Sequence, residues 1–200
     1  PATIKLNGTD SYDAFESELI GSRFAALFGT CTEGAHSIRF LGDTSRYYGS
    51  ITVSNNCGLI LGNCGLANGS ARFALGTAWL SLMATNGADV ALGRLTTEVG
   101  GTVEVPGSNT LSVASFDLAG TLAKTGEGTL VGAGEMTAGD GTSISVSAGG
   151  LRAKDAEAFD GAAIAFASGA KYIRDIGDDL GTTGLKTSGA VTAAGDVLAV

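Results

Sequence analysis

Short runs of apolar residues, separated by glycine, asparagine, serine and aspartate, dominate the chain from residue 37 onward. Runs such as SITVS, GTVEV and SISVS place an apolar side chain at every second position. This alternation is typical of β-strands, and the residues between the runs are those that close tight turns. The pattern predicts many short strands joined by tight turns.

The first part of the chain has a different pattern. After a strand-like run, ATIKL, the apolar residues Phe15, Leu19 and Phe24 recur near the spacing of a helical face. Gly29 follows as a residue that commonly ends a helix. The spacing predicts an α-helix over residues 12–28 that caps one end of the β structure.

Two architectures build short strands at this density: a parallel β-helix, or solenoid, and an antiparallel β-sandwich of the jelly-roll kind. Turn dipeptides at Asn68-Gly69, Asn86-Gly87 and Ser108-Asn109 recur about every twenty residues, a period within the range of solenoids. The runs are rich in small side chains, which suit a narrow coil interior. We therefore expect an all-β parallel β-helix with an N-terminal α-helix cap, and the antiparallel jelly roll is the alternative.

The segment from residue 118 to 173 has a more specific pattern. Its first part reads GTLAKTGEGTLVG and its second part reads SISVSAGGL. It resembles the autotransporter-associated β-strand repeat, and the matching positions are Gly120, Leu122, Lys124, Gly126, Gly128, Thr129, Leu130, Gly132, Ile144, Val146, Gly149, Leu151, Gly169, Ala170 and Tyr172. The resemblance implies a right-handed parallel β-helix exported to the cell surface, where such repeats form stalks and passenger segments.

Composition and charge narrow the classes of function. The chain has 200 residues, 32 of them glycine, and a formal net charge of -8. Because phosphate binding needs clustered Lys and Arg, this acidic balance disfavours nucleic acid and an anionic membrane surface. The longest uncharged stretch, residues 47–71, contains four asparagines whose amides hydrocarbon cannot satisfy. We expect no nucleic-acid partner and no membrane span.

Three cysteines, Cys31, Cys57 and Cys64, and one histidine, His36, are the candidate zinc ligands. A tetrahedral site would need all four, and the close C-x-x-C pair typical of such sites is missing. In an exported protein, Cys57 and Cys64 are candidates for a disulfide, although their spacing alone does not bring the Cα atoms within reach. We expect no metal site and no cofactor.

Acidic residues are the remaining candidates for catalysis, because enzymes that cleave polysaccharides commonly work with a pair of carboxylates. The candidates are Asp89 with Glu98 and Glu104, and Asp155 with Glu157 and Asp160. Neither group has aromatic neighbours that would bind sugar rings, and the single tryptophan, Trp79, lies in an apolar run typical of a core. We interpret the acidic residues as a solvated wall, with no catalytic residue, and expect that the protein is not an enzyme.

The ends of a solenoid expose strand edges that pair with another chain unless something covers them. The pattern divides the chain into an N-terminal strand and capping helix (1–36), the β-solenoid (37–176) and a strand-prone tail (177–200). We expect self-assembly through the ends, with contacts at Ile4, Leu6, Val191, Val197, Leu198 and Val200.

The function predicted from these features is that of an extracellular structural protein. It would be a subunit of a cell-surface stalk, layer or filament, with copies of itself as partners. The alternative is a carbohydrate-binding or carbohydrate-cleaving β-helix of a virion spike or adhesin, with surface glycans as its ligands.

Overall fold

A computed structural model describes residues 2–6, 12–15, 25–29, 36–54, 57–74, 76–173 and 187–194. These residues form twenty β-strands and no helix. The strands are β1 (Ala2–Leu6), β2 (Tyr12–Phe15), β3 (Ala25–Gly29), β4 (His36–Phe40), β5 (Ser50–Ser54), β6 (Cys57–Leu61), β7 (Leu66–Phe73), β8 (Trp79–Leu82), β9 (Asp89–Thr97), β10 (Gly100–Glu104), β11 (Thr110–Val113), β12 (Phe116–Leu118), β13 (Thr121–Thr125), β14 (Thr129–Gly132), β15 (Met136–Ala138), β16 (Ser143–Val146), β17 (Gly150–Ala153), β18 (Ala163–Phe166), β19 (Lys171–Ile173) and β20 (Val191–Ala193).

Parallel pairing joins these strands into two large sheets. The first sheet follows the order β1-β3-β5-β7-β9-β11-β14-β17-β19, and the second follows β2-β4-β6-β8-β10-β13-β16-β18-β20. Thr110 pairs with Thr129 and Gly150 with Lys171, so paired strands lie about twenty residues apart, as in stacked coils. The predicted parallel β-solenoid is confirmed, and the antiparallel alternative is wrong for the described residues.

A third, shorter series of paired strands, β9, β12 and β15, forms a third side of the middle coils. The long strand β9 pairs with β11 through residues 89–92 and with β12 through residues 95–97. Gly93 separates the two halves, and a Cβ there would lie 2.6 Å from the carbonyl oxygens of Ala67 and Gly69. Glycine is therefore required where the strand turns against the preceding coil. In the next two coils the three sides are separate strands, β11 to β13 and β14 to β16.

The core consists of ladders in which equivalent side chains stack from coil to coil. Because side chains alternate between the faces of a strand, every second residue points inward. Two of these ladders are Ile38, Leu59, Leu80 and Val103 in the second sheet, and Val90, Leu111, Leu130 and Leu151 in the first. All eight side chains are at most 1% exposed, and each contributes roughly 1.5–3 kcal/mol through burial. The ladders are the main source of stability.

A loop, instead of a strand, closes the side between β17 and β18. Phe159, in this loop, is fully buried. It enters the coil beside Gly132, where a Cβ would lie 2.6 Å from the Cβ of Ala158. The small residue in β14 therefore makes room for the loop, and the loop completes the core at this level.

The predicted N-terminal helix is wrong in the described residues. Residues 12–15 form β2, which pairs with β4, and residues 25–29 form β3, which pairs with β1 and β5. The rest of the predicted helix, residues 16–24, lies outside the described residues. An apolar spacing of three to five residues fits two short strands as well as one helix, and pairing with neighbouring coils overrides a weak local preference.

Trp79 was expected in the core and lies instead on the outer face. Its neighbour Leu80 points into the core and is fully buried, so Trp79 points the other way. The indole ring lies over Gly58, and a Cβ on that glycine would come within 2.1 Å of it. Gly58 has no side chain, so the strand presents a flat surface there. The indole ring packs on this surface and is therefore half-buried.

Candidate functional site

The predicted disulfide partners, Cys57 and Cys64, are not joined by a disulfide in the structure. Cys57 is buried at the start of β6, whereas Cys64 is exposed in the turn that follows the strand. Cys57 lies at the start of β6 and Cys64 beyond its end at Leu61, and the strand between them spans roughly 13 Å. The structure does not bring the two residues together, and Cys31 lies outside the described residues.

The first acidic group is spread over different sides of the solenoid. Asp89 is the first residue of β9. Glu98 lies in the turn after β9 and forms an ion pair with Arg72. Glu104 ends β10 and accepts a hydrogen bond of 2.8 Å from the Ser81 hydroxyl. Glu98 and Glu104 therefore have different side-chain partners, Arg72 and Ser81.

The second acidic group holds the loop between β17 and β18. The carboxylate of Asp155 accepts a hydrogen bond of 2.8 Å from the backbone N–H of Glu157. The carboxylate of Asp160 accepts bonds of 3.0 Å from the N–H groups of Gly161 and Ser188. These contacts assign Asp155 and Asp160 a role in shaping turns.

A metal centre is not formed within the described part of the chain. No three His, Cys, Asp or Glu side chains come close enough there to hold an ion. The same residues include no helix of the length and apolarity needed to cross a membrane.

The predicted assembly residues at the N-terminus belong to an edge strand. β1 is the first strand of its sheet and pairs with β3 alone among the described strands. Ile4 is in register with Leu27, and Leu6 with Gly29. Leu27 in turn pairs with Val53, a fully buried core residue. In backbone register, Ile4 and Leu27 are therefore aligned with Val53.

At the opposite end, β20 is the last strand of the second sheet and carries Val191. Val191 continues the core ladder of Leu122, Ile144 and Ile164. Those three side chains are at most 1% exposed, whereas Val191 is 51% exposed. Among the described residues, the core ladder therefore ends with a half-exposed apolar side chain. Three further predicted contacts, Val197, Leu198 and Val200, lie outside the described residues.

Comparison with protein-family models, curated proteins and solved structures found no match. The resemblance of residues 118–173 to a passenger repeat thus remains a prediction.

The apolar residues of that motif have a clear structural role in this chain. Leu122, Leu130, Ile144, Val146 and Leu151 are fully buried members of core ladders. The motif describes coil packing, so its apolar positions identify core residues and no reactive group.

Lys124 is a notable residue whose setting the sequence did not predict. It lies in β13 at an inward position and is fully buried. Its ammonium donates hydrogen bonds to the carbonyl oxygens of Gly126, Gly128 and Ala148. Burial lowers the pKa of its amine from the usual 10.5 to about 8, and the charge of Glu127 opposes that shift. The signal in the sequence is a lysine two residues after Leu122, in phase with the inward side chains.

Proposed function

We propose that this protein is an extracellular structural subunit that assembles end to end into a stalk, layer or filament. The observation that carries the proposal is the exposed end of the core at Val191. An apolar ladder that ends in a half-exposed side chain, on a strand that pairs on one edge only among the described strands, favours the addition of another strand. The cell-surface setting follows from the repeat that residues 118–173 resemble.

The partner in this proposal is the opposite end of a second copy. The two ends of the sheets are different, β1 and β2 at one and β19 and β20 at the other. Contact between unlike ends is heterologous, and repeating it gives an open array unless the rotation closes a ring. In such an array β1 and β2 of one subunit would follow β19 and β20 of the next, so that the coils continue across the contact.

Two substitutions in β20 test this proposal. Val191→Asp places a charge at the end of the core ladder, whereas Thr192→Asp places the same charge on the outer face of the same strand. Thr192 is the matched control because it is also exposed and pairs with Ala165, an exposed residue. Both proteins are compared with the unchanged protein by sedimentation velocity over a concentration series and by negative-stain electron microscopy.

We expect the unchanged protein and the Thr192→Asp protein to form elongated assemblies. The Val191→Asp protein is expected to need at least roughly ten-fold higher concentration for the same association, because a buried unpaired charge costs more than 1.4 kcal/mol. Unchanged protein that stays monomeric at all concentrations would overturn the proposal. Equal association of the two variants would place the contact elsewhere than the end of the core.

A further inference from the structure

Lys124 occupies a position that packing alone would give to an apolar residue. The register places it in the ladder of Leu80, Val103 and Val146, all fully buried hydrophobic side chains. Among residues 37–53, 57–74 and 76–173 it is the only charged side chain that is fully buried. Lysine is almost never buried to this extent without a compensating partner, so its environment needs a specific explanation.

Backbone oxygens supply the compensation. The ammonium of Lys124 donates to the carbonyl of Gly128 at 2.6 Å, to that of Ala148 at 2.8 Å and to that of Gly126. An ammonium has three N–H donors, so each donor has one acceptor. The group is fully satisfied by main chain, without a carboxylate as a hydrogen-bond partner.

Glycine lets the three oxygens converge. Gly126 and Gly149 have φ values of 76° and 67°, which residues with a Cβ rarely adopt. A Cβ on Gly149 would lie 2.3 Å from the carbonyl oxygen of Gly128 and 2.6 Å from that of Gly126. The turns thus bring partial negative charges close together, and a cation between them offsets their repulsion.

The three oxygens come from two successive coils. Gly126 and Gly128 lie in the turn between β13 and β14, whereas Ala148 lies in the turn between β16 and β17. We propose that these carbonyls form a built-in ammonium site and that Lys124, by filling it, locks residues 143–153 in register on residues 121–132. This inference does not depend on the proposed function.

A lock of this kind gives specificity for one strand register, which an apolar ladder gives only weakly. If a strand slips by two residues, its inward side chains stay inward, so apolar contacts discriminate weakly against the slip. The same slip moves the Ala148 carbonyl roughly 7 Å along the strand, out of reach of the ammonium. The lysine would then keep a buried donor without an acceptor, which is costly. Register specificity is the best-attested role of a buried polar group.

Amide hydrogen exchange tests the lock. Lys124→Met keeps the length of the side chain and removes all donors, and Leu80→Met is the matched control in the same ladder. The reporters are the amides of Ser147 and Gly150, which bond to the carbonyls of Lys124 and Gly128 across the two coils. The amides of Ala74 and Met83, which bond to Val53 and Leu61, report on distant coils.

We expect Lys124→Met to lower protection of the two nearby amides at least roughly ten-fold and to leave the distant pair nearly unchanged. Leu80→Met should leave the Ser147 and Gly150 amides unchanged. Protection within about two-fold of the unchanged protein at these two amides would overturn the proposal.

Chemical rescue distinguishes the effect of the Lys124 ammonium charge from the effect of the side-chain volume. Lys124→Ala removes the equivalent of propylammonium, so added propylammonium chloride should restore the circular dichroism and the amide protection. Sodium chloride and 1-propanol are the controls for ionic strength and volume. Rescue by 1-propanol to the same extent would mean that the site needs only filling, and the proposal would fail.

If neither variant folds, the protein without substitutions provides an independent test of the ammonium site. A buried ammonium with three acceptors exchanges its protons slowly, so we expect a distinct Lys124 Nζ signal in ¹⁵N-resolved spectra at pH 6. Its absence under conditions that show the backbone amides of β13 would overturn the proposal.

Discussion

The ring of Phe159 packs against the ring of Phe116, with centroids 5.8 Å apart and planes inclined by 43°. Phe116 comes from β12, on the third side of the solenoid, whereas Phe159 comes from the loop between β17 and β18. Tilted aromatic pairs at this distance stabilise beyond the effect of their buried area. The contact explains how a coil with a loop on one side keeps a closed core.

Phe159→Ala should therefore destabilise the protein by about 3–5 kcal/mol, because it removes a fully buried ring and leaves a cavity. Urea unfolding followed by circular dichroism measures the change. Tyr48→Ala is the control, since Tyr48 is 64% exposed and its loss should cost no more than about 0.5 kcal/mol. A loss below roughly 1 kcal/mol for Phe159→Ala would show that the loop is dispensable for the core.

Gly58 and Trp79 form a second pair with a specific expectation. Gly58→Ala should cost about 1–3 kcal/mol, because the new methyl group occupies the space of the indole ring. In a protein that already carries Trp79→Ala, the same substitution should be neutral or slightly stabilising, since alanine is less flexible than glycine. Urea unfolding of the four proteins measures the coupling, and additive effects would contradict the contact.

The buried amine of Lys124 predicts a dependence of stability on pH. Its pKa is lowered to about 8 in the folded protein, against 10.5 in the unfolded chain. Between these values the unfolded chain holds a proton that the folded chain has released, so the free energy of unfolding should rise with pH through this window. Well below pH 8 both states are protonated, and this residue contributes no slope.

Urea unfolding at pH 7.5, 8.5 and 9.5 measures this dependence. The Lys124→Met protein is the control, because every other titrating group is retained. We expect the unchanged protein to have the more positive slope against pH. Parallel profiles for the two proteins would show that the amine titrates alike when folded and unfolded.

The hydrogen-bond pattern of β20 distinguishes the edge that pairs with β18 from the outer edge, which pairs with no other described strand. The N–H of Ala194 donates to the carbonyl of Phe166 at 2.9 Å, and successive N–H groups of a strand point in opposite directions. Ala193→Pro should thus remove a donor from the outer edge alone, whereas Ala194→Pro should break the bond to β18.

Sedimentation velocity and urea unfolding measure the two effects. Ala193→Pro should weaken self-association at least roughly ten-fold with an unchanged unfolding midpoint, because only an edge contact is lost. Ala194→Pro should lower the unfolding midpoint as well. Undiminished association of the Ala193→Pro protein would mean that subunits do not join through this strand edge.

The sequence predicted the central part of this fold well because its pattern is local and repeated. Strands such as Ser50–Ser54 and Ser143–Val146 alternate apolar and polar residues and end at turn residues, so each can be recognised within a short window. It failed at residues 12–15 and 25–28, where a short apolar spacing fits both a helix and two strands. The pairing of β2 with β4 and of β3 with β5 decided between them.

The sequence by itself determined the class of fold, the approximate length of a coil and the absence of a recognisable catalytic motif. These properties follow from the order of apolar, polar and glycine residues along the chain. Only the tertiary structure decided that Trp79 covers Gly58 on the outside, that Phe159 completes the core and that Lys124 lies within it. Each of these depends on a residue in another strand, coil or turn, because stacking brings together positions that are far apart in the sequence. Local pattern therefore specifies the strands, and contact between coils specifies what each side chain does.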